Sequence, residues 1–122
     1  MISSDIETIA FRMLLRAGAE KEYRRRHDEI WPELVAELRA AGIYDYRIFC
    51  DPQNHCLFAV ITRARKHRMD DLPNKPVVRR WWAMMADLMA TEADLSPNVT
   101  PLEQVFCLAA PDSHLSPTAR GL

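Results

Sequence analysis

At 122 residues, 48% of them hydrophobic, the chain is one ordinary domain whose core needs neither a metal nor disulfides. A formal net charge of −1 supplies no field toward nucleic acid or an anionic membrane, so neither is an expected partner. No apolar run is long enough to span a bilayer and no basic-then-apolar leader opens the chain, so a cytoplasmic protein is expected.

Residues 1–6 read as a lead-in, and Thr8 to Leu15 as the first strand. Gly18 marks a turn, after which Glu20 to His27 is a charged helical segment. Pro32 has no backbone N–H to donate and belongs in the first turn of a helix. A break is therefore expected near residues 28–31, then a second helical piece from Pro32 to Ala41, with Leu34, Val35 and Leu38 facing the core and Gly42 closing it. Tyr44 to Cys50 and Cys56 to Thr62 are strands rich in aromatic and β-branched residues, joined through the turn cluster Asp51-Pro52-Gln53-Asn54 into a hairpin.

Residues 66–76 are punctuated by Pro73 and Pro76 and read as irregular. Residues 77–90 are helical, with Val77, Trp81, Met84, Met85 and Leu88 as the inward stripe. Leu102 to Ala109 reads as the last strand, within a domain of residues 7–110, and 111–122 as a flexible tail. The order β-α-β-β-α-β predicts an α+β fold of the ferredoxin-like kind, a four-stranded antiparallel sheet with the helices on one face. The other face stays uncovered, so two copies are expected to pack sheet to sheet as a homodimer, a dimeric α+β barrel.

Two clusters carry chemistry. Tyr23 and His27 stand four residues apart on one helix, so phenol and imidazole converge on one small volume. An imidazole can donate and accept protons near neutral pH. Further on, Arg79-Arg80-Trp81-Trp82 opens a second helical stretch, and indole faces suit the apolar face of a pyranose. Adjacent helical residues point about 100° apart, so one of the two tryptophans is expected in the core and one in the pocket.

Other features read as structure. Arg24-Arg25-Arg26 reads as a solvated face offset by Glu20, Glu22, Asp28 and Glu29. Cys50, Cys56 and Cys107 form no C-x-x-C and fall in apolar runs, so they read as small buried residues in a reducing compartment. His55 sits in a turn, His67 and His114 in loop-like segments, and no histidine pair has metal-ligand spacing with a carboxylate. No G-x-S-x-G elbow marks a serine hydrolase.

Six segments in order resemble the L-rhamnose mutarotase family over roughly residues 9–108: E-Y-R-R-R-H-D-E-I-W-P-E-L from Glu22, D-Y-R-I from Asp45, L-F-A-V from Leu57, R-W-W-A-M-M-A-D-L-M from Arg80, Ser96-Pro97, and L-E-Q-V-F from Leu102. The resemblance implies a ferredoxin-like dimeric barrel that interconverts the α and β anomers of L-rhamnose without a cofactor. It implies His27 as the general acid/base, Tyr23 and Tyr46 as substrate-contacting phenols, and Trp81 and Trp82 as the paired indoles. One departure is Leu95 in Ala93-Asp94-Leu95-Ser96-Pro97, where the family pattern P-D-N-S-P has an amide. The alternative substrates are L-fucose or another 6-deoxy-L-sugar. From a different class, a non-catalytic sugar-binding barrel or a small monooxygenase-like barrel also uses this fold, and fold alone does not choose.

Overall fold

The computed structural model describes residues 5–108. The chain runs β1 (Ile6–Leu14), α1 (Glu20–Asp28), α2 (Pro32–Ala40), β2 (Ile43–Asp51), β3 (Cys56–Ala64), a 3-10 turn (Met69–Asn74), α3 (Pro76–Met85), a second 3-10 turn (Ala86–Leu88) and β4 (Thr100–Leu102). The strands form one antiparallel sheet in the order β2-β3-β1-β4. This is the ferredoxin-like α+β fold expected from the order of elements. The segment 111–122 and His114, discussed above, lie outside the described residues.

The alternation of side chains across the strands sets the two faces of the sheet. Leu57, Ala59 and Ile61 on the central β3 are 1%, 0% and 0% exposed, and Met13 on β1 joins them in the core beneath the helices. Their strand neighbours point the other way. Ile6, Leu14, Phe49 and Leu102 stay between 38% and 57% exposed on a face that no helix among the described residues covers. The helix-facing layer is closed by Leu34 of α2 and by Val77, Val78, Trp81 and Met85 of α3.

Local chemistry places the breaks. Pro32 and Pro76 each open a helix, where the missing N–H costs nothing, and the residues before them, Trp31 and Lys75, are extended as a following proline requires. Gly42 ends α2 with φ of 98°, donating its N–H to the Arg39 carbonyl at 3.0 Å. A Cβ there would also stand 3.3 Å from Cα of His67, so both conformation and space ask for glycine. Asp51 ties the β2–β3 hairpin, accepting from Gln53 N at 3.1 Å and Asn54 Nδ2 at 2.8 Å.

Four sequence expectations are corrected. The first strand begins at Ile6, because that residue pairs with Ala64 at the end of β3. The last strand is Thr100–Leu102 rather than a run onward from Leu102, since among the described residues only Thr100, Pro101 and Leu102 find partners on β1; Ala109, the expected end, lies outside the described residues. Residues 103–108 are β-prone but have no neighbouring strand among the described residues, and Val105, Phe106 and Leu108 are 89%, 76% and 78% exposed. The third helix spans Pro76–Met85 and tightens to 3-10 geometry over Ala86–Leu88. Cys50 and Cys107 are exposed and Cys56 is half-buried, because β2 is an edge strand and residue 107 lies in the unpaired segment.

Candidate functional site

Between the helices and the sheet lies a cavity of about 1170 Å³. Tyr23, His27, Tyr46, Trp81 and Trp82 all line it, so the five residues singled out in the sequence meet in one place although they come from α1, β2 and α3. The i, i+4 spacing on α1 brings the Tyr23 and His27 rings to 4.3 Å between centroids, with planes tilted by 30°. Trp81 meets the His27 ring edge-on at 5.3 Å, and Trp31 meets Trp81 edge-on at 5.2 Å.

The hydrogen bond at His27 selects its tautomer. Nδ1 lies 3.1 Å from the Tyr23 carbonyl oxygen. A carbonyl only accepts, so Nδ1 carries the proton and the neutral ring keeps its lone pair on Nε2. Burial pushes the imidazole below its ordinary 6.5, outweighing the opposing hydrogen bond to Tyr23 and the charge of Asp28. The ring is therefore a neutral base at pH 7.

The two phenols are set differently. Burial, with Tyr46 as the second cause, holds the Tyr23 hydroxyl far above its ordinary range. Tyr46 is partly exposed along its ring, yet burial of its hydroxyl pushes it up to about 12. Both hydroxyls stay protonated at neutral pH and can donate to oxygen atoms of a ligand.

Both indoles line the cavity, but they differ in burial: Trp81 is 8% exposed and held between two rings, whereas Trp82 is half-buried. Trp31 belongs to this aromatic cluster through Trp81, and the sequence reading passed over it. The sequence shows only that Pro32 makes residue 31 extended, which does not mark the contact with Trp81.

At the far end of α1, Glu20 lines the cavity with its carboxylate 2.9 Å from Nδ1 of His55, which holds that carboxyl below its ordinary value. Leu95 lines the cavity rim with φ of 71°, a left-handed conformation that asparagine tolerates better than leucine. The surrounding turn fixes it: Leu95 N donates to the Glu92 carbonyl at 2.9 Å and Ser96 N to Asp94 Oδ1 at 3.0 Å.

The arginine triplet is not one solvated face. Arg25 is exposed and pairs with Glu22 and Glu29, as expected of a surface charge, and with Arg26 it pulls Glu22 down to about 2. The Arg26 side chain, 17% exposed, turns instead toward α3. Among the described residues no group of three or more His, Cys, Asp or Glu side chains could hold a metal ion, and no helix is long and apolar enough to cross a membrane.

A ferredoxin-like domain with a neutral imidazole inside an aromatic cavity is the class that this fold and site define. A protein of Mycobacterium tuberculosis shares the fold at 17% identity, with a TM-score of 0.53 over 87% of this chain and 100% of that one. The particular family follows from the sequence comparisons: the L-rhamnose mutarotase model matches residues 8–108, and the chain belongs to that family. The L-rhamnose mutarotase of Paraburkholderia xenovorans is 56% identical over 84% of this chain and 96% of its own length. The crystal structure of L-rhamnose mutarotase from Formosa agariphila matches at 40% identity with a TM-score of 0.78, over 84% of this chain and 99% of that one.

Proposed function

We infer that this chain is an isomerase that interconverts the α and β anomers of L-rhamnose, with His27 as the proton-transferring group. The observation that carries the chemistry is the His27 tautomer: Nδ1–H is committed to the Tyr23 carbonyl, which leaves the Nε2 lone pair as the base on a ring that lines the cavity. The substrate follows from relatives of this name that match nearly their whole length to the chain.

Mutarotation needs one proton removed from the anomeric hydroxyl and one delivered to the ring oxygen. Nε2 takes the proton from the C1 hydroxyl. The C1–O5 bond breaks as C1=O1 forms, and the imidazolium returns the proton to O5. Rotation about C1–C2 turns the aldehyde, and O5 adds to its other face with the proton transfers reversed. Electrons and protons balance, with no redox step and no carbon acid. General acid–base assistance of this kind is worth roughly 10²–10⁴-fold. Tyr23 and Tyr46 stay protonated and donate to sugar oxygens. Trp82, the less buried indole, stacks on the apolar C–H face and the 6-methyl group, while Trp81 backs the imidazole.

The working unit is a homodimer joined through the uncovered sheet face. Three observations support it. That face carries exposed Ile6, Leu14, Phe49 and Leu102. Residues 103–108 extend beyond β4 with Val105, Phe106 and Leu108 bare. Arg12, on the same face, has a sheltered Nε without an acceptor among the described residues, a donor that a neighbouring chain can meet. Exposed, unpaired Cys50 and Cys107 favour a reducing compartment, the cytoplasm.

Saturation-transfer NMR tests the activity directly. Irradiating the α-anomeric proton of L-rhamnose should deplete the β signal when the protein is added at catalytic concentration. Transfer no faster than in buffer would reject the activity, and faster transfer on L-fucose would reassign the substrate.

A further inference from the structure

We propose that Arg26 is a positioning residue: its guanidinium clasps α1 to the C-terminal end of α3 and thereby sets the His27 imidazole against Trp81. The inference rests on the reading of His27 as the proton-transferring group.

The clasp is made of four bonds. Arg26 Nε donates to Glu22 Oε2 at 2.7 Å, within α1. Nη1 donates to the Met84 carbonyl oxygen at 2.7 Å and to Asp87 Oδ1 at 2.9 Å, and Nη2 donates to Asp87 Oδ2 at 3.3 Å. The fork on Asp87 is the bidentate geometry that a planar guanidinium makes and an ammonium does not. Glu22 aligns the guanidinium from behind, so the whole group is held from both helices.

The target on α3 is chemically apt. Met84 is in the last turn of α3, where the final carbonyls have no partner within the helix and carry partial negative charge. Asp87 adds a full charge three residues on. Arg26 in turn keeps the Asp87 carboxyl below its ordinary value, so the ion pair persists across the neutral range.

Position along each helix links the clasp to the proposed chemistry. Arg26 is the residue before His27 on α1. Met84 follows Trp81 by three residues, so carbonyl and indole share one side of α3. Two ties therefore join the same pair of helices, the polar clasp and the edge-on His27–Trp81 contact at 5.3 Å. Without the clasp, α1 is free to slide or roll against α3, and a displacement of about 1 Å at a reacting group can cost on the order of 100-fold in rate.

The test measures kcat and KM for anomer exchange together with the His27 Hε1 proton resonance, which the neighbouring Trp81 ring shifts. Arg26→Gln, Arg26→Lys and Asp87→Asn are compared with the parent protein. In folded Arg26→Gln the resonance should move and kcat fall by roughly 10- to 100-fold, with KM within about twofold. Arg26→Lys should not restore kcat, because charge without the fork does not clasp. Asp87→Asn, which keeps the Met84 and Glu22 bonds, should show the same two changes at smaller size. Unchanged resonance and kcat in folded Arg26→Gln, or a loss carried wholly by KM, would overturn the proposal. Should Arg26→Gln fail to fold, the same outcomes in Asp87→Asn decide. The resonance is read without substrate, so it tests the clasp even if His27→Ala were to remain active.

Discussion

His27 donates a hydrogen bond from Nδ1–H to the carbonyl of Tyr23, 3.1 Å away on the preceding turn of the same helix. The bond orients the ring, fixes its tautomer and leaves the lone pair on Nε2. Tyr23 thus serves twice, its carbonyl holding the imidazole and its ring lying beside it at 4.3 Å.

The first prediction concerns pH. Burial lowers the His27 value below 6.5, so the imidazole is neutral at pH 7 and charges only on further acidification. Exchange should fall on acidification through the His27 value, with an apparent midpoint under 6.5. Stability follows the same sign. Between the folded and unfolded values the unfolded chain binds more protons, so His27's contribution is complete above 6.5 and is lost as pH falls toward the folded value. Denaturant titrations at pH 5 and pH 7.5 should show this loss for the parent and a smaller one for His27→Gln. An exchange midpoint above 6.5 would contradict the buried neutral imidazole.

Much of this was legible in the chain itself. Pro32, Pro76 and Gly42 punctuate the helices for local reasons, and the Tyr23–His27 spacing needs only helix periodicity. What failed depends on tertiary partners. Val105-Phe106-Cys107-Leu108 has strand composition, but a strand exists only with a neighbour, and among the described residues β1 offers one only as far as Leu102. Cys50 looked buried because its run is apolar, yet β2 is a sheet edge. The inward stripe of α3 already included Trp81, which is 8% exposed, but how far Trp82 is covered depends on the neighbouring elements and not on periodicity. Arg26 looked like its exposed neighbour Arg25 because its acceptors, Met84 and Asp87, lie 58 and 61 residues away.

The tryptophans should separate in mutagenesis. Trp81→Ala removes a buried indole with two ring contacts and should cost about 3–5 kcal/mol of stability along with activity. Trp82→Ala should leave stability within about 1 kcal/mol and raise KM roughly 5- to 30-fold, the loss of about 1–2 kcal/mol of apolar contact. Denaturant titration and exchange kinetics on both variants check the division. Equal stability losses would show that both indoles are core.

The dimer has a simple lesion. Charges at the bare positions, as in the double variant Val105→Asp and Phe106→Asp, should release folded monomer, because both side chains are largely exposed among the described residues. Sedimentation equilibrium should find the parent dimeric in the micromolar range. A monomeric parent would remove the barrel arrangement, and a variant still dimeric would remove residues 103–108 from the interface.

Specificity should favour a methyl over a hydroxymethyl. A buried hydroxyl without a partner costs about 1–3 kcal/mol, so L-rhamnose should exchange better than L-mannose by roughly 5- to 150-fold at subsaturating concentration. Leu95→Asn, which places at the cavity rim a residue suited to its φ of 71°, should narrow that ratio by offering a polar partner. Equal exchange of the two sugars by the parent would refute an apolar seat for the methyl.

The central claim is proton transfer through His27, and the comparison of His27→Ala with the parent in L-rhamnose anomer exchange by saturation-transfer NMR tests it most directly. The substituted side chain is half-buried rather than at the core, so the variant should keep its fold and its sedimentation behaviour. Its exchange should fall roughly 10²- to 10⁴-fold, toward the rate in buffer. A folded His27→Ala that exchanges L-rhamnose as fast as the parent would contradict the account.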